Sequence, residues 1–128
     1  MIIFVGDCPS KFNHDPDVAF VGTKSGNVLE KWIHTMGISG DCMWKNSHIN
    51  ALVREIARLH NQYGYTVVAL GNKASERLNE VNVPHFKLPH PSPKNFKLND
   101  KEYINLELKK CAEYIASKTS VYNENYSC

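Results

Sequence analysis

The chain has 128 residues, with 15 Lys or Arg against 13 Asp or Glu and a formal charge of +2 at pH 7. This length suits one domain, which buries roughly two-thirds of its unfolded surface and needs no disulfide or metal to stabilise it. The small positive charge permits a nucleic-acid partner without indicating one, because the clustering of charge matters more than its sum. No apolar run approaches the ~20 residues that cross a bilayer, so the sequence excludes a membrane-spanning helix.

The cysteines Cys8, Cys42, Cys111 and Cys128 form no Cys-x-x-Cys pair, and no secretory signal precedes them. We therefore expect reduced thiols in a cytoplasmic protein, in the host cytoplasm if the chain is viral. Their spacing does not fit a zinc or iron–sulfur site, so the sequence predicts that no metal is bound.

The first predicted element is a strand, because Ile2 to Val5 is a short apolar run that Gly6 ends at once. Such a run is typical of a strand buried on both faces of a parallel sheet. Its partners come later in the chain, so we expect it to lie inside the sheet. The following loop would then lie at the carboxyl ends of the strands, where open α/β sheets bind ligands. Asp7 supplies an acid there, or alternatively only a turn residue bonded to its own backbone.

Helical and strand patterns then alternate along the chain. The predicted elements are a helix from a Ser25 cap to Gly37, a strand at 42–44, a helix at 49–59, strands at 65–70 and around 85–86 with a short helix at 74–78 between them, and a last helix capped by Asp100. This order predicts an α/β fold with three layers, α/β/α, and a four-stranded, mainly parallel sheet in one domain over residues 1–118. Residues 119–128 are read as a polar, frayed C-terminal tail.

If the sheet is parallel, the loops after its strands meet at one edge. The last of these loops, residues 89–95, holds His90 between two prolines, in a rigid backbone that suits a group requiring accurate placement. Ser92 adds a hydroxyl to this loop, and Lys94 and Lys97 add positive charge. The alternative is an exposed Pro-rich turn without chemistry.

Two segments together resemble the uracil-DNA glycosylase superfamily. Residues 6–10 (GDCPS) and 19–26 (AFVGTKSG) are similar to the Gly–acid–small–Pro–small loop and the Phe-Val-Gly segment of the branch that usually carries an iron–sulfur cluster. Residues 90–93 (HPSP) are similar to the His-Pro-Ser motif of the superfamily, and residues 67–74 resemble a core strand and its turn. The likeness spans residues 2–115 and implies an enzyme that flips a base out of DNA and cuts its glycosidic bond.

The resemblance also implies how the base is bound. Phe20 would stack on the flipped pyrimidine, although the pattern fits a core residue equally well. Asn46 would read the base edge, since an amide offers both a donor and an acceptor, and Asn50 is the alternative. The other residues implied to form the substrate-binding loop are Gly6, Cys8 and Pro9.

Two residues would carry the catalysis. The resemblance implies that His90 donates a hydrogen bond to O2 of the base as negative charge builds on the leaving group. Asp7 would position a water molecule and stabilise the positive sugar, with Asp15 as the alternative. The residues implied to hold backbone phosphates are Ser10, Ser92 and Lys94.

The sequence departs from the pattern of this superfamily at two places. The cluster cysteines are absent as a set, so we infer no iron–sulfur cofactor. Lys94 and Asn95 replace the apolar wedge of many relatives, which favours single-stranded DNA or a weak grip on the duplex. The resemblance, taken with these departures, thus implies a monomeric, metal-free DNA glycosylase that excises uracil or a related pyrimidine in base-excision repair.

Two alternatives remain open. One is a catalytically weak or inactive module on the same fold that binds nucleic acid or nucleotides. The other is a nucleotide-binding or nucleotide-transferring α/β domain, which the lack of a Gly-x-x-x-x-Gly-Lys loop disfavours.

Overall fold

A computed structural model describes residues 1–8, 19–20, 22–38 and 41–127, with side chains described as far as residue 118. In these ranges strands and helices alternate in the order β1 Ile2–Gly6, α1 Lys24–Thr35, β2 Cys42–Asn46, α2 Asn50–Tyr63, β3 Thr66–Leu70, α3 Asn72–Glu80, β4 Phe86–Leu88 and α4 Lys101–Ser127. A short 3₁₀ turn, Phe96–Asn99, precedes α4.

The strands form one sheet of four strands in the order β2-β1-β3-β4. Every pairing is parallel, with Gly6 opposite Asn46 and Leu70 opposite Leu88. The predicted parallel sheet is therefore confirmed, and so is the interior position of β1. Because the strands are parallel, the loops that follow them meet at the same edge of the sheet, which we call the carboxyl edge.

The sheet carries a buried core on each face, because successive side chains of a strand point to opposite faces. Phe4 packs with residues of α1 and α4 on one face, whereas Ile3 and Val5 pack with residues of α2 and α3 on the other. All three of these β1 side chains are fully buried. The three predicted layers are thus present, and they hold the carboxyl edge between them.

Some helix ends differ from the predicted ones. The cap of α1 is Thr23, whose hydroxyl oxygen accepts a hydrogen bond from Gly26 N at 3.0 Å, so Ser25 lies inside the helix. Asp100 is confirmed as a cap, since its carboxylate accepts from Tyr103 N at 3.1 Å. Helix α4 continues to Ser127 where the sequence indicated a frayed tail, and Cys128 lies outside the described residues. None of the helices in the described ranges is long and apolar enough to cross a membrane.

Candidate active site at the carboxyl edge

Each strand ends in a residue or loop that contributes to the carboxyl edge. Asp7 follows β1, Asn46 ends β2, Gly71 follows β3 and His90 lies in the loop after β4. The segment that carries Phe20 is attached to the same region, since Ala19 N donates to Trp44 O of β2 at 3.3 Å. The fold therefore brings these parts of the chain to one edge, as the sequence predicted.

Phe20 has a left-handed backbone with a φ of 65°, which is unusual for an aromatic residue. The start of α1 holds this conformation, because the Phe20 carbonyl accepts from Thr23 N at 3.1 Å and from the Thr23 hydroxyl at 2.6 Å. Gly26 is required beside it, since a Cβ at this position would overlap the Phe20 carbonyl oxygen. The strain in Phe20 is thus maintained by the cap of the helix that follows it.

The ring of Phe20 lies between β1 and the His90 loop. The ring lies so close to Gly6 that a Cβ added to this glycine would be 2.9 Å from Cζ of Phe20. The Phe20 and His90 rings form a T-shaped pair, with centroids 5.6 Å apart and planes at 77°. Phe20 is only 9% exposed and belongs to the core cluster. The reading of Phe20 as a core residue is therefore confirmed, while its stacking on a base stays a prediction.

His90 is held by its own loop in one tautomer. Its Nδ1 accepts a hydrogen bond from Ser92 N at 3.1 Å, so the proton of the neutral ring is on Nε2. Asn95 Nδ2 donates to the His90 carbonyl at 3.1 Å, and the imidazole packs on Gly71, where a Cβ would lie 3.3 Å from Cδ2. Burial lowers the pKa of His90, and the negative charge of Asp7 opposes this effect. The result is a neutral ring with Nε2 as the donor.

Asp7 is fixed by an arginine that the sequence analysis did not identify. Nη1 of Arg77 donates to the Asp7 carboxylate Oδ1 at 2.6 Å and to the Asp7 carbonyl at 2.8 Å. It also lies 3.3 Å from the Ser47 hydroxyl oxygen, and that hydroxyl donates to the Gly6 carbonyl at 2.6 Å. The exposed Lys73 Nζ lies 3.9 Å from the Asp7 oxygen Oδ2. The acid therefore lies beside two cations of α3.

The sequence contains one indication that Lys73 and Arg77 lie near the site. Lys73 and Arg77 are four residues apart on a helix that follows the third strand, so they lie on the same face of that helix and close to the carboxyl edge. The sequence pattern predicted that this helix begins at Ala74 and indicated no function for it.

The two candidates for reading the base edge differ in position. Asn46 is 1% exposed and pairs with Gly6 at the end of β2. Asn50 is exposed and is the first residue of α2. Asn46 is therefore the amide that lies within the structure of the carboxyl edge, and its role toward a base stays a prediction.

The remaining predicted residues lie around this centre or outside the described ranges. Cys8 is exposed directly after Asp7, and the Ser92 hydroxyl oxygen accepts from the backbone N of the exposed Lys94 at 3.2 Å. Among the described residues, no group of His, Cys, Asp and Glu side chains could hold a metal ion. The predicted site residues outside the described ranges are Pro9, Ser10 and the alternative acid Asp15.

Among the comparisons with known proteins, only the one with family models found a match. No curated protein and no solved structure matches the chain. A family model described as the uracil DNA glycosylase superfamily matches residues 1–115. This range contains all four strands of the sheet and each loop of the carboxyl edge. Proteins of that superfamily are typically N-glycosylases that bind DNA. The resemblance found in the sequence is therefore confirmed, and the chain belongs to the uracil DNA glycosylase superfamily.

Proposed function

We propose that this chain is a monofunctional DNA glycosylase that hydrolyses the N-glycosidic bond of a flipped uracil or related pyrimidine. The observation that carries the proposal is that neutral His90 and the carboxylate of Asp7 occur together at the carboxyl edge of a domain of this superfamily. Water would add to C1′ of the deoxyribose as the bond from C1′ to the base breaks. The electron pair of that bond would leave with the base, the proton lost by the attacking water would pass through solvent to the base anion, and an abasic site would remain.

His90 is suited to stabilising the leaving base. Its neutral ring has Nδ1 occupied by the Ser92 N–H, so Nε2 is the nitrogen with a proton to donate. A hydrogen bond from Nε2 to the O2 carbonyl becomes stronger as negative charge develops there. Removing one preorganised donor of this kind typically costs on the order of a hundredfold in rate, or about 3 kcal/mol. The partial burial that lowers the pKa of His90 also strengthens this interaction, because the local dielectric is lower than that of water.

Asp7 is suited to the opposite charge in the transition state. As the glycosidic bond breaks, positive charge develops on the sugar, and a nearby carboxylate stabilises it. The same group accepts a hydrogen bond from the attacking water and directs it toward C1′. Hydrogen bonds to its backbone carbonyl and to its carboxylate hold Asp7 in place. The carboxylate is therefore preorganised and loses little entropy during the reaction.

The base would be bound by Phe20 and Asn46, with the loop of Gly6, Cys8 and Pro9 beside it. A flat aromatic ring replaces the stacking that a flipped base loses. The amide of Asn46 matches the neighbouring carbonyl and N–H of uracil.

The grip on DNA would come from the loop after β4. The proposed phosphate contacts are Ser10, Ser92 and Lys94. After Lys94 in the chain, Phe96 is 78% exposed in the 3₁₀ turn, and Asn95 connects this turn to the His90 loop by accepting from Lys97 N at 3.2 Å and donating to the His90 carbonyl at 3.1 Å. An exposed aromatic ring stacks on unpaired bases. This feature supports single-stranded DNA as the substrate.

The test is single-turnover release of free base from a labelled single-stranded oligonucleotide with one uracil. Variants His90→Ala and Asp7→Ala should lose about a hundredfold in rate while their binding changes little. His34→Ala and Asp41→Ala are matched controls, because both residues are exposed and lie outside the carboxyl-edge contacts described above. Unchanged release in both site variants would remove catalysis from this edge. Parallel substrates with modified pyrimidines and with duplex DNA define the preferred base and strand state.

A second candidate is a module that binds nucleic acid without cutting it. The observation that favours it is the ion pair of Asp7 with Arg77 at 2.6 Å. A carboxylate whose charge is compensated by an arginine stabilises the positive charge of the sugar less well. A shift in oligonucleotide mobility without any release of base would support this function over the first.

A further inference from the structure

Arg77 lies at the centre of the contacts that surround Asp7. We propose, on the basis of the proposed function, that Arg77 is a positioning residue that fixes the Asp7 carboxylate for the reaction. Nη1 of this arginine bonds to the side chain and to the backbone carbonyl of the same aspartate, at 2.6 Å and 2.8 Å. A single nitrogen therefore determines both where the Asp7 peptide lies and how its carboxylate is turned.

The rest of the network anchors Arg77 to the sheet. The Ser47 hydroxyl oxygen is 3.3 Å from the same nitrogen, and its own proton goes to the Gly6 carbonyl. Ser47 is 1% exposed and lies directly after β2, whereas Gly6 ends β1. The ends of two neighbouring strands and one helix are thus joined around Asp7. Because these elements are held by the sheet, the arginine acts from a rigid framework.

The two oxygens of the Asp7 carboxylate have different contacts. Oδ1 is bonded to the guanidinium, whereas Oδ2 has the 73% exposed side chain of Lys73 at 3.9 Å. A salt bridge of that length to an exposed lysine is weak, and solvent screens it. Oδ2 is therefore the oxygen left for the water or the sugar. Holding one oxygen leaves the other at a defined position, which reduces the entropy lost on reaching the transition state.

The backbone contact distinguishes positioning from inhibition. Compensating the charge of Asp7 requires only a contact with its carboxylate. The additional bond from Arg77 to the Asp7 carbonyl orients the peptide, which charge compensation alone does not need. Arginine also suits this place better than lysine, because its planar fork presents several N–H groups in fixed directions. We therefore expect removal of Arg77 to slow the reaction.

The experiment compares Arg77→Met, which removes the charge, with Arg77→Lys, which keeps it. Single-turnover base release should fall roughly tenfold to a hundredfold in Arg77→Met, with the Kd for the same uracil oligonucleotide changed less than about twofold. Arg77→Lys should regain part of the rate. Arg58→Met is the matched control, because Arg58 is exposed on α2 and bonds only to Gln62 among the described residues, at 3.3 Å.

A double-mutant cycle separates action through Asp7 from a general structural role. In an Asp7→Asn background, Arg77→Met should change the rate less than about threefold, because the group that it positions is already disabled. Rate losses that multiply in the double variant would overturn the inference, as would equal losses of rate and binding. If Arg77→Met does not fold, the comparison of Arg77→Lys and Arg77→Gln provides the same cycle.

The outcome also separates this inference from the function on which it rests. Wild-type protein that releases no base from any tested pyrimidine overturns both. Active wild-type protein with unchanged or faster Arg77 variants overturns the positioning role and leaves the glycosylase in place.

Discussion

Replacing Gly6 with alanine should disturb the contact between β1 and the ring of Phe20. The new Cβ would lie 2.9 Å from Cζ of that ring and 3.0 Å from the Cβ of Ala19. Carbon atoms pack favourably at about 3.5–4.0 Å, so the ring must move by roughly 0.6 Å or more. Gly6 has no positive φ, so the substitution adds no backbone strain and its effect is steric.

The expected cost follows from two opposing terms. Overpacking a buried site costs about 1–3 kcal/mol, while replacing glycine in a strand returns about 0.5–1 kcal/mol. The free energy of unfolding should therefore fall by about 1 kcal/mol at the midpoints of these ranges and by about 2.5 kcal/mol at most, or roughly 4–10 °C in Tm for a domain of this size. Base release should fall as well, because the ring that moves also meets His90 edge-on with centroids 5.6 Å apart.

Thermal and urea unfolding measure the first effect, and single-turnover base release measures the second. Gly37→Ala is the matched control, because its φ of 71° makes alanine unfavourable while nothing lies within 4 Å of the new Cβ. It should lower stability without slowing release. Phe20→Leu removes the outer ring atoms, so Gly6→Ala should cost less in that background, with a coupling of about 1 kcal/mol. Wild-type stability in Gly6→Ala, or no coupling with Phe20→Leu, would refute this account of the packing.

Three further predictions follow from exposure and charge. Burial lowers the pKa of His90, so its ring stays neutral where an ordinary histidine gains a proton. The release rate should fall only as the pH drops through that lowered pKa, because a protonated Nδ1 can no longer accept the hydrogen bond from Ser92 N. A pH–rate profile that already declines through the usual histidine range would contradict this. Burial raises the pKa of Cys111 to about 12, so iodoacetamide should modify the exposed Cys8 first in native protein, and mass spectrometry showing Cys111 modified first would be the opposite result. Lys94→Ala should reduce the salt dependence of single-strand binding by about 0.7 in the log–log slope, whereas the exposed Lys109→Ala should leave it unchanged; equal slopes in a salt titration of both variants would exclude a phosphate contact at Lys94.

Much of the fold was predictable because its signals are local. Apolar runs such as Ile2 to Val5 and residues 65–70 predict buried strands, and their alternation with helical patterns predicts the parallel sheet that the structure contains. The ends of helices were less predictable. Thr23 and Ser25 are both good caps, and the choice between them depends on the Phe20 carbonyl, which also bonds to Thr23. The last helix continues to Ser127 because a polar segment without Gly or Pro does not by itself end a helix.

The sequence by itself determined the family and the loops that carry Asp7 and His90, because each motif is contiguous in the chain and each follows a recognisable strand. The partners of these residues were decided by the tertiary structure. Arg77 bonds to Asp7 across 70 positions in the chain, and this contact exists only because the sheet order brings α3 beside the end of β1. The lowered pKa of His90 likewise comes from burial in the folded protein. Local patterns show which groups reach the carboxyl edge, whereas their charges and orientations depend on neighbours that only long-range packing supplies.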